Sequence, residues 1–210
     1  MDYHQPAPKN PQHKNIAFVL GNGRSRLRAN LDELKKYGTV YGCNGLYREF
    51  EPDYLIAVDV KMVREIVATG WHLKHQLWTN PNKDVLNEQG VNFFNPHKGW
   101  SSGPTALWMA TLHQHTSIYF IGFDFQGIGE QFNNVYADTP NYKRSSEPAT
   151  YFGNWSQQTE RVIKENPKII FNRVSEPGAF IPANIGDIST NLRQISFEQL
   201  NEDFPGAIFK

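Results

Sequence analysis

Five apolar residues in a row, Ile16–Leu20, stop abruptly at Gly21, and a second apolar run, Ser117–Ile121, stops in the same way at Gly122. Short continuous runs rich in β-branched and aromatic residues suit strands buried on both faces, where no side chain meets water. After the first run, Leu27, Leu31 and Leu34 recur at helical spacing and Gly38 follows, which predicts one helix over that stretch. Further strands are predicted at 39–41, 54–58, 76–79, 91–94 and 168–174, and further helices at 62–68, from Pro104 onward, at 157–165 and at 196–200. Strands alternating with helices predict an α/β fold, a doubly wound and mostly parallel sheet covered on both faces.

Two stretches break this rhythm. Residues 1–15 hold Pro6, Pro8 and Pro11 without an apolar period, and read as a flexible, extended N-terminal arm or a disordered leader. Residues 125 to about 153 hold Gly127, Gly129, Pro140 and Pro148 with no sustained period, the pattern of a functional lid or a disordered segment. Its aromatics, among them Phe125, Phe132, Tyr136 and Tyr142, favour a segment that packs. The expected organisation is a single nucleotide-binding domain over 16–210 carrying that lid.

Composition narrows the class of function. The 210 residues carry 21 Lys+Arg against 21 Asp+Glu, so zero net charge removes the usual electrostatic case for nucleic-acid binding. No apolar run approaches the ~20 residues that span a bilayer, and no secretory signal is visible, so a soluble cytoplasmic protein is expected. Cys43 is the single cysteine, which excludes an intrachain disulfide and any multi-cysteine zinc site. The pairs His72/His75 and His113/His115 lack a matched third ligand, so no metal site is expected.

In a doubly wound sheet, ligands bind beyond the carboxyl ends of the strands, near the point where strand order reverses. Polar and small residues collect at the predicted strand ends: Gly21, Asn22 and Gly23 after the first strand, Asn44 after the second, Asp59 after the third, and Asp124 after Ser117–Ile121. Ser101, Ser102 and Gly103 open a predicted helix, whose free N–H groups and dipole favour an anion. Each piece also has an ordinary structural reading: a tight turn, an Asx turn, an N-cap. Their conjunction predicts a nucleotide site.

The same conjunction resembles the bacterial sialyltransferases of the glycosyltransferase 42 type. Their first strand ends in G-N-G-P-S, followed by C-N, by S-G opening a helix, by an I-Y-L-x-G-x-D-F strand and by a lid. This chain has GNGRS at 21–25, GCN at 42–44, SSGPTALWMA at 101–110 and SIYFIGFDF at 117–125. The resemblance implies a metal-independent transferase that takes a glycosyl group from a CMP-activated sugar, with no cofactor beyond that donor. It places Asn22, Gly23 and Asn44 at the phosphate, ribose or sugar, Ser102 and Gly103 at the phosphate, Asp124 at the ribose or cytosine, and Tyr136 as a donor to the departing phosphate. The acceptor, a glycan or small molecule, is unspecified, and a homo-oligomer is among the expectations.

Three positions depart from that family. Its loop proline is Arg24, a lid tyrosine is Gln126, and its general-base histidine falls on Asn154, whose amide cannot take a proton at neutral pH. His97, just before Ser101, is the candidate substitute base, with Glu147 of the lid behind it. Two other readings stand beside the transferase: a nucleotide-binding protein without catalysis, and a metal-dependent enzyme similar to pterin pyrophosphokinases.

Overall fold

The computed structural model describes residues 15–188 and 190–209. The arm expected over 1–15 lies outside the described residues apart from Asn15. Eight strands form one sheet: β1 (Ile16–Leu20), β2 (Thr39–Cys43), β3 (Tyr54–Ile56), β4 (Leu77–Thr79), β5 (Val91–Phe93), β6 (Ser117–Ile121), β7 (Ile170–Val174) and β8 (Leu192–Ile195). Their order is β5-β4-β3-β2-β1-β6-β7-β8, and every pairing is parallel. Strand order reverses between β1 and β6, which pair from Ile16↔Ser117 to Leu20↔Ile121.

Period-two alternation divides the core into two layers. On one face of β1, Ala17 and Val19 pack with α3 (Ser102–Leu112), α4 (Gly153–Glu165) and α5 (Ala183–Gly186). On the other, Phe18 and Leu20 pack with α1 (Leu31–Tyr37), α2 (Val60–Ala68) and α6 (Phe197–Asp203). Helix α3 runs across β1, β2 and β3, and Pro104 through Ala110 are all buried. A helix apolar around its whole circumference suits that central position, and it aims its N-terminus at the sheet's carboxyl edge.

The differences from the expected elements have local causes. The helix expected from Leu27 is broken at Ala29 and Asn30: a 3-10 turn covers Arg24–Arg28, and the Asn30 side chain accepts from the Glu33 N–H to start α1. Asp59 caps α2 through the Lys61 N–H at 2.8 Å, so it serves a helix start. Helix α4 begins at Gly153, four residues before the expected start. Strand β8 was not expected at all. It lies at the sheet edge with Arg193 and Gln194 exposed, so no apolar run marks it.

The 125–152 segment has no regular element beyond isolated bridges such as Gln131↔Pro148, yet it is packed. Phe125, Phe132 and Tyr136 are buried. Its backbone is pinned where the Val135 N–H donates to the Asn22 carbonyl at 2.8 Å and the Phe132 N–H to the Glu147 carbonyl at 2.9 Å.

Candidate functional site

The site begins with two turns that touch through their backbones. The Gly21 N–H donates to the Ile121 carbonyl at 2.8 Å and the Gly23 N–H to the Gly122 carbonyl at 3.0 Å. A Cβ on Gly21 would stand 2.6 Å from the Gly122 oxygen, and one on Gly122 2.7 Å from the Gly21 oxygen. Glycine is required at both because the main chains pass with no room between them. Gly122 and Phe125 also take positive φ, +76° and +54°, so the turn after β6 is bent sharply at both ends.

Beyond these turns opens a cleft of about 150 Å³ at the reversal of strand order. Its walls include Gly21, Asn22 and Gly23 after β1, Asn44 after β2, Ser101, Ser102 and Gly103 at the start of α3, and Asp124 after β6. The structure thus brings together the eight residues expected to bind a nucleotide. Phe123, Phe125, Phe132, Phe152 and Trp155 supply aromatic walls, and Asn133, Asn134 and Thr150 of the lid close it from above.

The polar groups are oriented by one another. The Asn22 side chain donates from Nδ2 to the Cys43 carbonyl at 3.0 Å and accepts at Oδ1 from the Arg26 guanidinium at 3.0 Å. The Ser102 hydroxyl donates to Asn44 Oδ1 at 2.8 Å and accepts from the Val58 N–H at 3.1 Å. Ser101, the N-cap of α3, makes no side-chain cap, and its N–H donates to Gln158 Oε1 at 3.0 Å. The first turn of that helix, with its positive dipole end, borders the cleft through Ser101, Ser102 and Gly103.

Asp124 is the one carboxylate among the described lining residues, which include no Lys, Arg or His. It accepts from the Ser25 hydroxyl, from the Ser25 N–H at 3.2 Å and from Asn133 Nδ2 at 2.9 Å, so it joins the first turn to the lid. Burial pushes the Cys43 thiol up to about 12, which leaves it neutral and a poor nucleophile.

The three expected catalytic residues do not line this cleft. His97 is exposed on the loop between β5 and α3, and Asn154 is exposed in the first turn of α4. Glu147 is exposed too and accepts from the Arg144 N–H at 2.6 Å. Tyr136 is buried, but its hydroxyl lies between Glu49, to which it donates at 2.5 Å, and Arg26, from which it accepts at 3.1 Å. Burial holds that phenol protonated. Arg24 is exposed, its N–H donating to Asn133 Oδ1 at 3.0 Å, and Gln126 is exposed at the lip of the cleft.

Sequence reading passed over Arg26, Tyr142 and Arg173. Arg26 is 2% exposed and pairs with Glu49 at 2.7 Å beneath Asn22. The Tyr142 hydroxyl accepts from the Gly45 N–H at 2.9 Å and from Asn22 Nδ2 at 3.4 Å, so the lid reaches the turn after β2. Arg173, a charged residue inside an otherwise buried strand, carried the clearest signal of the three.

No family model matches the chain, and no curated protein matches it in sequence. Solved structures do match in fold. A point variant of the sialyltransferase CST-II in complex with CMP superposes with a TM-score of 0.52 at 12% identity, covering 93% of this chain and 100% of that one. CstII from Campylobacter jejuni in complex with a substrate analogue, cytidine-5'-monophosphate, gives 0.52 at 15% identity over 93% and 99%. The monofunctional α-2,3-sialyltransferase Cst-I from the same organism gives 0.51 at 13% over 95% and 82%. The fold is that of the CST sialyltransferases: an α/β domain with an all-parallel, eight-stranded sheet flanked by helices. Among the described residues, no helix is long and apolar enough to cross a membrane.

Proposed function

We propose that this protein is a metal-independent glycosyltransferase, sialyltransferase-like, that uses a CMP-activated sugar. The observation that carries the reading is the convergence of Asn22, Asn44 and Ser102 with the N-terminus of α3 on one cleft, in a fold whose solved neighbours include CMP complexes. In the transfer, the bond between the sugar's anomeric carbon and the phosphate oxygen breaks, and CMP leaves with the electron pair. An acceptor hydroxyl forms the new bond. The charge growing on the leaving phosphate needs fixed donors, which amide side chains, backbone N–H groups and a helix dipole can supply without a metal.

The acceptor's proton is the open demand. His97 and Asn154 stand outside the cleft, and Asp124 already accepts three hydrogen bonds. That arrangement favours, as the second reading, a protein that binds the nucleotide without transfer. Incubation with CMP-sialic acid in EDTA, following CMP release, separates the two. Release above the uncatalysed rate supports the transferase; CMP binding without release supports the second reading. A requirement for Mg²⁺ and ATP would move the protein to the pyrophosphokinase-like class.

A further inference from the structure

Arg173 is the fourth of the five residues of β7, a strand buried on both faces, and is 1% exposed. Its guanidinium reaches forward to the carboxyl edge of the sheet. There it donates to the Phe123 carbonyl at 3.2 Å, the Asp124 carbonyl at 3.4 Å, the Phe180 carbonyl at 3.0 Å and Gln194 Oε1 at 3.4 Å. It also lies 5.2 Å from the centre of the Phe125 ring. All four acceptors are neutral oxygens. Burial pulls the group down to about 10, and the Asp124 carboxylate offsets part of that, so the guanidinium keeps its charge at neutral pH.

A buried charge is costly unless it is paired and hydrogen-bonded, and among the described residues Arg173 has its four hydrogen bonds but no direct ion pair. What lies nearby is the cleft. Phe123, Asp124 and Phe125, the residues Arg173 holds, are three of its walls, and Phe180 packs on a fourth, Phe152, at 5.6 Å between ring centres. The cleft's own described side chains include a carboxylate and no cation. Left alone, Asp124 would repel an anionic ligand. In an interior of low dielectric, a cation just behind the wall offsets that repulsion at short range.

We propose that Arg173 is a specificity-determining residue: its buried charge cancels that of Asp124 and lets the cleft accept a phosphate-bearing ligand over the neutral nucleoside. The inference rests on the nucleotide reading of the cleft, and adds to it the residue that makes an anion welcome. Arg173 acts from behind the wall, through the turn that it holds.

Calorimetric titration of the full chain with CMP and with cytidine tests it. Wild type binds CMP tighter than cytidine by about tenfold or more. In Arg173→Met that ratio falls about threefold or more while cytidine still binds, whereas Arg173→Lys retains most of it. A purely structural role would weaken both ligands in parallel and leave the ratio unchanged, which overturns the proposal. Should Arg173→Met fail to fold, Asp124→Asn decides: removing the carboxylate raises the ratio about threefold or more, and an unchanged ratio overturns the proposal. Wild type that binds both ligands equally overturns this inference and leaves the nucleoside site standing. Wild type that binds neither removes both.

Discussion

The Ser102 hydroxyl donates to Asn44 Oδ1 at 2.8 Å, so the first turn of α3 is latched to the end of β2, 58 residues away in sequence. The same oxygen accepts from the Val58 N–H, which adds the end of β3 to the junction. Asn44 itself takes φ +51°, a conformation asparagine tolerates better than most residues. Ser102→Ala leaves the Asn44 oxygen and the Val58 N–H without this partner. The expected cost is about 1–2 kcal/mol of stability and a further loss of CMP affinity. Thermal unfolding with and without CMP measures both; an unchanged melting temperature would mean that water replaces the hydroxyl in full.

Gly23→Ala tests the tightest contact in the site. The new Cβ would stand 2.5 Å from Asp124 Oδ2 and 2.7 Å from the Gly122 carbonyl oxygen, closer than real Cβ atoms approach. The two turns must separate, at a cost of ~1–3 kcal/mol, and the Asp124 link to Ser25 opens with them. Denaturant unfolding should show the midpoint fall. A variant as stable as wild type would show that the turns are not packed as described.

Tyr136→Phe removes a hydroxyl from between Arg26 and Glu49. The lid loses one of its anchors to the body of the protein, alongside Tyr142 on Gly45 and Asn22. Global stability should drop by about 1 kcal/mol. Limited proteolysis should cut between residues 126 and 152 faster than in wild type. Equal cleavage rates would place the lid's anchorage elsewhere.

At the other end of α3 from the cleft, the Tyr41 hydroxyl meets His113 Nδ1 at 2.6 Å and His115 Nε2 at 2.9 Å. Burial, with the neighbouring His115, lowers His113 from the ordinary 6.5 to about 4. The unfolded chain therefore binds this proton more readily than the folded one between those values. Stability is full above pH 6.5 and falls as pH drops toward 4, by on the order of 3 kcal/mol for this group. Urea midpoints measured from pH 8 to pH 4 should trace that fall, and His113→Gln should flatten it. An identical slope in the variant would assign the acid limb to other groups.

What could be read from the sequence was what local chemistry dictates. The apolar runs of β1 and β6 and the glycines that end them are visible because buried parallel strands admit few other residues and because the two turns touch backbone to backbone. The five polar and small residues at strand ends, and the three that open α3, follow from that topology. What stayed hidden depends on long-range partners. Arg26 sits in a turn, where a charge reads as surface, and is buried only because Asn22, Glu49 and Tyr136 converge on it. Edge strand β8 lacks a periodic pattern because water faces Arg193 and Gln194. His97 lies four residues before Ser101, the N-cap of α3, yet its loop leaves it in solvent.

The proposed function requires the cleft at the β1/β6 reversal to take a CMP-type nucleotide without a metal. Thermal unfolding in EDTA and in Mg²⁺, across CMP, CDP, UDP, GDP, AMP and ATP, tests it most directly. At 100 times its dissociation constant a ligand stabilises the folded state by ~2.7 kcal/mol. At roughly 2–4 °C per kcal/mol for a chain of this size, that is an easily measured rise. The expected result is a shift with CMP, equal in EDTA and Mg²⁺, and none with the purine nucleotides. A purine or metal-dependent shift, or none with any nucleotide, would overturn the proposed function.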